Sequence, residues 1–149
     1  MFDRILVPLD RSPLAECVLP HAIALARALD AQLLLLHVLT LPDKQARLRA
    51  VDSLEWQLRR AEAESYLQGV CDRVVEAGVA CATQVSDGDA AEQIVDCARD
   101  NAIGLVLIAS HGQSGLSAWH VSSVVQKVLV RASAWLAPAP MFTSGRYQK

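Results

Sequence analysis

Four cysteines, Cys17, Cys71, Cys81 and Cys97, stand far apart in 149 residues, and no two form a Cys-x-x-Cys pair. Neither a zinc knuckle nor a dithiol motif is therefore written here, and the four read as small buried hydrophobes. No apolar run approaches the ~20 residues that a membrane span requires. The first residues, Met1 to Val7, are strand-like where a secretory signal would carry a basic region and an apolar core, so a cytosolic protein is expected. The phosphate-loop pattern G-x-x-x-x-G-K-[ST] is also missing, and with it the lysine on which many nucleotide hydrolases depend. Net charge is −2 and the isoelectric point about 6.0, with no basic stripe. General attraction to nucleic acid or to an anionic membrane is excluded, so any anion must be held locally. There is no internal repeat and no low-complexity segment.

What is present is the material of a core. Hydrophobic residues make up 52% of the chain and charged residues 20%, enough at this size for one domain to bury roughly 70% of its unfolded surface. A single α/β domain over 1–142 is expected, followed by a polar, frayed tail at 143–149.

Phe2 to Leu9 reads as a strand, and its consecutive Ile5, Leu6 and Val7 require cover on both faces, as in a central parallel strand. Asp10 falls at its carboxyl end. Ser12-Pro13 supplies an N-cap and a first-turn proline for a helix over 14–29, with an inner stripe of Val18, Leu19, Ala22, Ile23, Ala26 and Leu29. Pro20 removes one donor and should kink that helix or make an irregular turn early in it. Gln32 to Val38 is a second buried strand. A long helix follows, with Leu54, Leu58, Ala61, Leu67, Val70 and Val74 facing inward, Glu55/Arg59 and Arg60/Glu64 as exposed pairs, and Gly78 as its terminator. Val79 to Val85 alternates weakly, as an edge strand does. Asp89 with Glu92 opens a short helix in capping-box fashion, its inner stripe being Ile94, Val95 and Ala98. Pro138 and Pro140 restrict any strand at Trp135–Phe142 to an edge.

Leu105 to Ala109 is a short apolar run, followed by a loop of small residues through Gly112 and Gly115, then a helical spacing of Val and Leu from 121 to 129. The order βαβ(α)βαβα(β) with right-handed crossovers makes a doubly wound parallel sheet. Its switch point lies between the strand ending at Asp10 and the strand ending at Ala109. Open α/β sheets bind ligands at such a crevice, where a helix start also suits phosphate.

Ile5-Leu-Val-Pro-Leu-Asp10, Leu36-His-Val38, Gly88-Asp-Ala-Ala-Glu92, Ala109-Ser-His-Gly112 and Ser122-Ser-Val-Val-Gln-Lys-Val-Leu129 together resemble the universal stress proteins over nearly the whole chain. The resemblance implies a five-stranded, adenine-nucleotide α-hydrolase-like sheet of order 3-2-1-4-5 with helices on both faces. In the nucleotide-binding branch a Gly, two residues, Gly, nine residues, Gly, then Ser or Thr wrap the ATP phosphates. The positions here are Ala109, Gly112, Ser122 and Ser123, so two glycines are replaced. The cost depends on backbone geometry. A side chain at a positive-φ site costs on the order of 1 kcal/mol, whereas at negative φ the N–H still serves the anion.

By the same resemblance Asp10 would accept from the ribose or orient the base, Pro8 and Val38 would line the adenine, and Ile108 would close over it. Gly112, Ser122, Ser123 and Val124 would offer donors to phosphate. Arg11 stands where the family often has glycine, as a phosphate counterion or an obstruction. Read without the resemblance, Asp10 caps the first helix or a turn, Gly112 and Gly115 serve turns, Ser122 and Ser123 are N-caps, and His37 is a satisfied core or sheet-end histidine. A lone loop histidine, His111, is weak evidence for acid/base work.

The function implied is a small stress-response protein that binds an adenine nucleotide, ATP with Mg²⁺, as a regulatory ligand and acts as a homodimer. The alternative is a relative with an empty pocket that works through dimerisation and protein partners. Catalysis beyond slow ATP hydrolysis is not expected, and neither nucleic acid nor membrane is an expected partner. Pro138 and Pro140 imply a changed fifth-strand dimer interface.

Overall fold

The computed structural model describes residues 2–40, 54–109 and 126–128. Its elements run β1 (Arg4–Pro8), α1 (Pro13–Glu16), α2 (Leu19–Leu29), β2 (Gln32–Leu39), α3 (Leu54–Glu76), β3 (Cys81–Asp87), α4 (Ala90–Asp100) and β4 (Leu105–Val106). The strands form one parallel sheet in the order β3-β2-β1-β4. This is the order that the resemblance implies for the first four strands. The expected fifth strand falls on residues outside those described.

Strand alternation divides the core between two faces. Ile5, Val7, Leu9, Leu33 and Leu35 pack with Leu19, Ala22 and Ala26 of α2 and with Leu67, Val70 and Val74 of α3. On the other face, Leu6, Leu34, Leu36 and Val38 meet Ala90, Ala91, Ile94 and Ala98 of α4, together with Val128. Helices on both sides are what the consecutive apolar residues of β1 and β2 demand. β3 lies at an edge of the described sheet and is only partly buried, as its weak alternation implies.

The first helix is broken where a kink was expected. α1 is a single short turn, and α2 begins afresh at Leu19 with Pro20 in its first turn, where a missing N–H is harmless. Leu29 is 41% exposed instead of inward-facing. In α3 the inward residues are Trp56, Ala63, Leu67, Val70, Cys71 and Val74, while Leu54, Leu58 and Ala61 are exposed, contrary to the expected stripe. Arg60 pairs with Glu64 at 3.5 Å, and Arg59 lies over the Trp56 ring at 5.5 Å. Gly78, at φ +86°, ends α3 with the paired hydrogen bonds Gly78 N to Val75 O and Val79 N to Val74 O. That geometry needs a left-handed residue, which glycine supplies without strain.

Asp89 caps α4 by accepting from the Glu92 N–H at 3.1 Å. All four cysteines are free thiols. Cys71 and Cys97 are buried, Cys81 is half-buried and Cys17 is exposed, so the reading of all four as buried fails at Cys17.

Candidate functional site

The carboxyl ends of β2, β1 and β4 lie side by side. Register places Pro8 beside Leu36, with Val38 two residues further along β2. Leu6 stands beside Val106, and the Leu107 N–H continues the pairing by donating to the Leu6 carbonyl, which brings Ile108 and Ala109 to the same end of the sheet. Val38 is buried, and Ile108 packs against the same apolar cluster. Five of the expected site residues, Pro8, Asp10, Val38, Ile108 and Ala109, thus gather at the topological switch point between β1 and β4. Gly112, Ser122, Ser123 and Val124 lie outside the described residues, as do Gly115, His111 and His120. A separate depression of about 460 Å³, bordered by Asp3, Gln32 and Ala80, lies at the amino ends of the strands, the end that open parallel sheets do not use for ligands.

The turn after β1 is held by hydrogen bonds at Leu9, Asp10 and Ser12. Leu9 donates its N–H to the Leu36 carbonyl at 2.8 Å, and its carbonyl accepts from His37 Nδ1 at 2.7 Å. Asp10 Oδ1 accepts from the Ser12 N–H at 2.9 Å and from the Ser12 hydroxyl at 2.5 Å. Ser12 Oγ in turn accepts from Ala15 N at 3.1 Å and caps α1, with Pro13 as its first residue. Asp10 therefore does serve a turn, but with one oxygen. The other, Oδ2, is shut off from solvent and has no hydrogen-bond partner among the described residues. A buried acceptor left in that state is costly unless a donor arrives.

Arg11 adopts φ +67°, the left-handed conformation that a glycine would take freely. Its guanidinium lies 5.9 Å from the centre of the Tyr66 ring and 3.9 Å from Glu62 Oε2, on α3. Burial, and then the neighbouring Glu16 carboxylate, push the Tyr66 phenol up to about 12. The ring therefore stays neutral beneath the arginine across the physiological range. Ala109 is not among the residues with positive φ, so its methyl group causes no backbone strain there.

His37 is 7% exposed, and burial is the main reason that its imidazole titrates below the ordinary 6.5. Arg11 and Arg59 push in the same direction, while the Leu9 carbonyl and Asp10 oppose them. A carbonyl partner requires the proton on Nδ1, which fixes the neutral tautomer. Because the folded-state pKa is depressed, the unfolded chain binds more protons below pH 6.5, and stability should fall as pH drops through that value. Thermal melts from pH 7.5 to 5.5 are expected to show a steeper loss for the wild type than for His37→Asn. Equal slopes would remove His37 as the cause.

Among the described residues no group of three or more His, Cys, Asp or Glu could hold a metal ion. None of the described helices is long and apolar enough to cross a membrane.

A doubly wound parallel sheet with a polar turn at its switch point defines an open α/β fold of the kind that carries its sites at the carboxyl ends of the strands. Comparison with known proteins narrows this class. The model of the universal stress protein family matches residues 1–134, and the chain belongs to that family. Universal stress protein Sll1388 of Synechocystis is 30% identical over 140 residues, covering 86% of this chain and 91% of that protein. The solved structure of MJ0577, a universal stress protein of Methanocaldococcus jannaschii, superposes with a TM-score of 0.70 at 25% identity, over 88% of this chain and 90% of that one. A universal stress protein of Archaeoglobus fulgidus, solved in complex with dAMP, shares the fold with a TM-score of 0.61 at 21% identity, over 88% and 93% of the two chains.

Proposed function

We propose that this chain binds an adenine nucleotide, ATP with Mg²⁺, at the carboxyl ends of β1 and β4, and that occupancy regulates its contact with a second copy or a protein partner. The observation that carries the reading is Asp10 Oδ2, a buried acceptor without a partner among the described residues, at the end of the sheet where Val38 and Ile108 join one apolar cluster. A ribose hydroxyl supplies the donor that this oxygen lacks, and an adenine suits an apolar wall. The backbone at Ala109 supports the same reading, since the replaced glycine imposes no left-handed strain. The dAMP complex of the Archaeoglobus fulgidus relative shows an adenine nucleotide on a protein of this fold. No catalytic step is part of the proposal.

Isothermal titration of nucleotide-stripped protein tests it, with Mg-ATP as ligand and AMP and GTP as controls. Saturable binding in the micromolar range is the expected outcome, with GTP weaker because its base presents different edge groups to the same wall. Silence at millimolar Mg-ATP would sink the proposal and favour a protein that acts through partners alone.

A further inference from the structure

We propose that His37 is a positioning residue of this site, resting on the nucleotide reading above: its Nδ1–H sets the Leu9 carbonyl and so fixes where Asp10 presents its free oxygen. The regular pairing of β1 with β2 ends at Pro8 and Leu36, and Pro8 has no N–H to give. Leu9 is thus the last anchor before the turn. Both of its backbone groups are held by β2, the N–H by the Leu36 carbonyl and the carbonyl by the His37 ring. The first hold is backbone and survives any substitution. The second depends on one side chain.

Asp10 is the next residue, and its Oδ1 is committed to Ser12. The direction of Oδ2 is therefore set by the main chain on either side, by Ser12 and α1 after it and by Leu9 before it. A buried imidazole at 2.7 Å is a stiff tether, because ring and carbonyl leave little rotational freedom. Losing it would free a buried carbonyl and loosen the residue on which nucleotide binding depends. Strand alternation places His37 on the face shared with Leu33 and Leu35, the opposite face from Val38. It acts through Leu9 and is not assigned contact with the ligand.

Two substitutions separate a donor from mere bulk. Asn carries an amide nitrogen at the place of Nδ1, whereas Gln carries it one bond too far along the side chain. Amide hydrogen exchange at Ser12, whose N–H reports the Asp10 turn, should be near wild type in His37→Asn and clearly faster in His37→Gln, with Leu35 in the core of β2 unchanged in both. Mg-ATP affinity should follow the same order, within about twofold for Asn and weakened roughly tenfold for Gln, the worth of one hydrogen bond. Equal Ser12 exchange in all three proteins would overturn the tether. So would acceleration at Ser12 and Leu35 alike, which marks a general packing role, or an Asn variant that behaves as Gln does. A wild-type chain silent toward Mg-ATP strikes the nucleotide reading alone, since Ser12 exchange tests the tether without ligand.

Discussion

Asp10→Asn is expected to weaken Mg-ATP binding by roughly 10- to 150-fold, the equivalent of about 1.5–3 kcal/mol for a hydrogen bond to a charged acceptor. The substitution is nearly isosteric. Its amide oxygen can still accept from the Ser12 N–H and hydroxyl, which occupy Oδ1. What changes is Oδ2, where a charged acceptor becomes a neutral donor, so the strong bond that a ribose hydroxyl gives to a carboxylate is lost and that hydroxyl must turn to accept instead. In the absence of ligand, the wild-type oxygen is buried without a partner among the described residues, so the substitution removes little that holds the fold together. The melting temperature of the free protein should stay close to wild type. Asp10→Ala should lose affinity to a similar degree and also lose stability, about 1 kcal/mol, because the Ser12 turn goes with it. Parallel titration and thermal melts of both variants check this. An unchanged affinity in Asp10→Asn would take Asp10 out of the site, and a large fall in its melting temperature would make the carboxylate structural.

The sequence announced this end of the sheet more clearly than it announced the details. Consecutive apolar residues in β1 and β2 required cover on both faces, and short connections left few topologies, so the switch point was legible from pattern alone. Asp10 was visible because it closes a strand. Its divided role was not, since which carboxylate oxygen meets Ser12 is a matter of side-chain torsion and not of spacing. Arg11 shows another limit. An arginine there reads as a counterion or an obstruction, yet its backbone is left-handed, as a glycine's could be freely, and its side chain lies against Tyr66 and Glu62 of α3. Some of the strain, roughly 1 kcal/mol, is offset by these contacts. For His37 the pattern leaves core and sheet end open, and the structure buries it near the carboxyl end of β2 with its ring on the Leu9 carbonyl. Its partner, the carbonyl just before Asp10, depends on register and was beyond the reach of composition or periodicity.

Leu67→Ala should cost about 2–5 kcal/mol, whereas Leu58→Ala should fall within about 0.5 kcal/mol of wild type. Both leucines belong to α3 and both fitted a stripe of three- and four-residue steps. They cannot share a face. At roughly 100° per residue, Leu58 lies about 180° around the helix from Leu67, while Trp56 and Ala63 lie within about 40° of it. The step from Ala61 to Leu67 spans six residues, and there the apparent stripe changes sides. The structure follows the phase set by the residues on the sheet: Leu67 is fully buried among Val7, Leu33 and Val70, and Leu58 is 59% exposed. Truncating Leu67 opens a cavity beneath β1 and β2, in a core that can collapse only partly. For a chain of this length the corresponding fall in melting temperature is roughly 5–20 °C, against little or none for Leu58. Equal losses would mean that α3 is turned about its axis relative to the sheet. That rotation would also carry Tyr66 and Glu62 away from Arg11, so this pair of melts checks the packing behind the Asp10 turn as well as the helix itself.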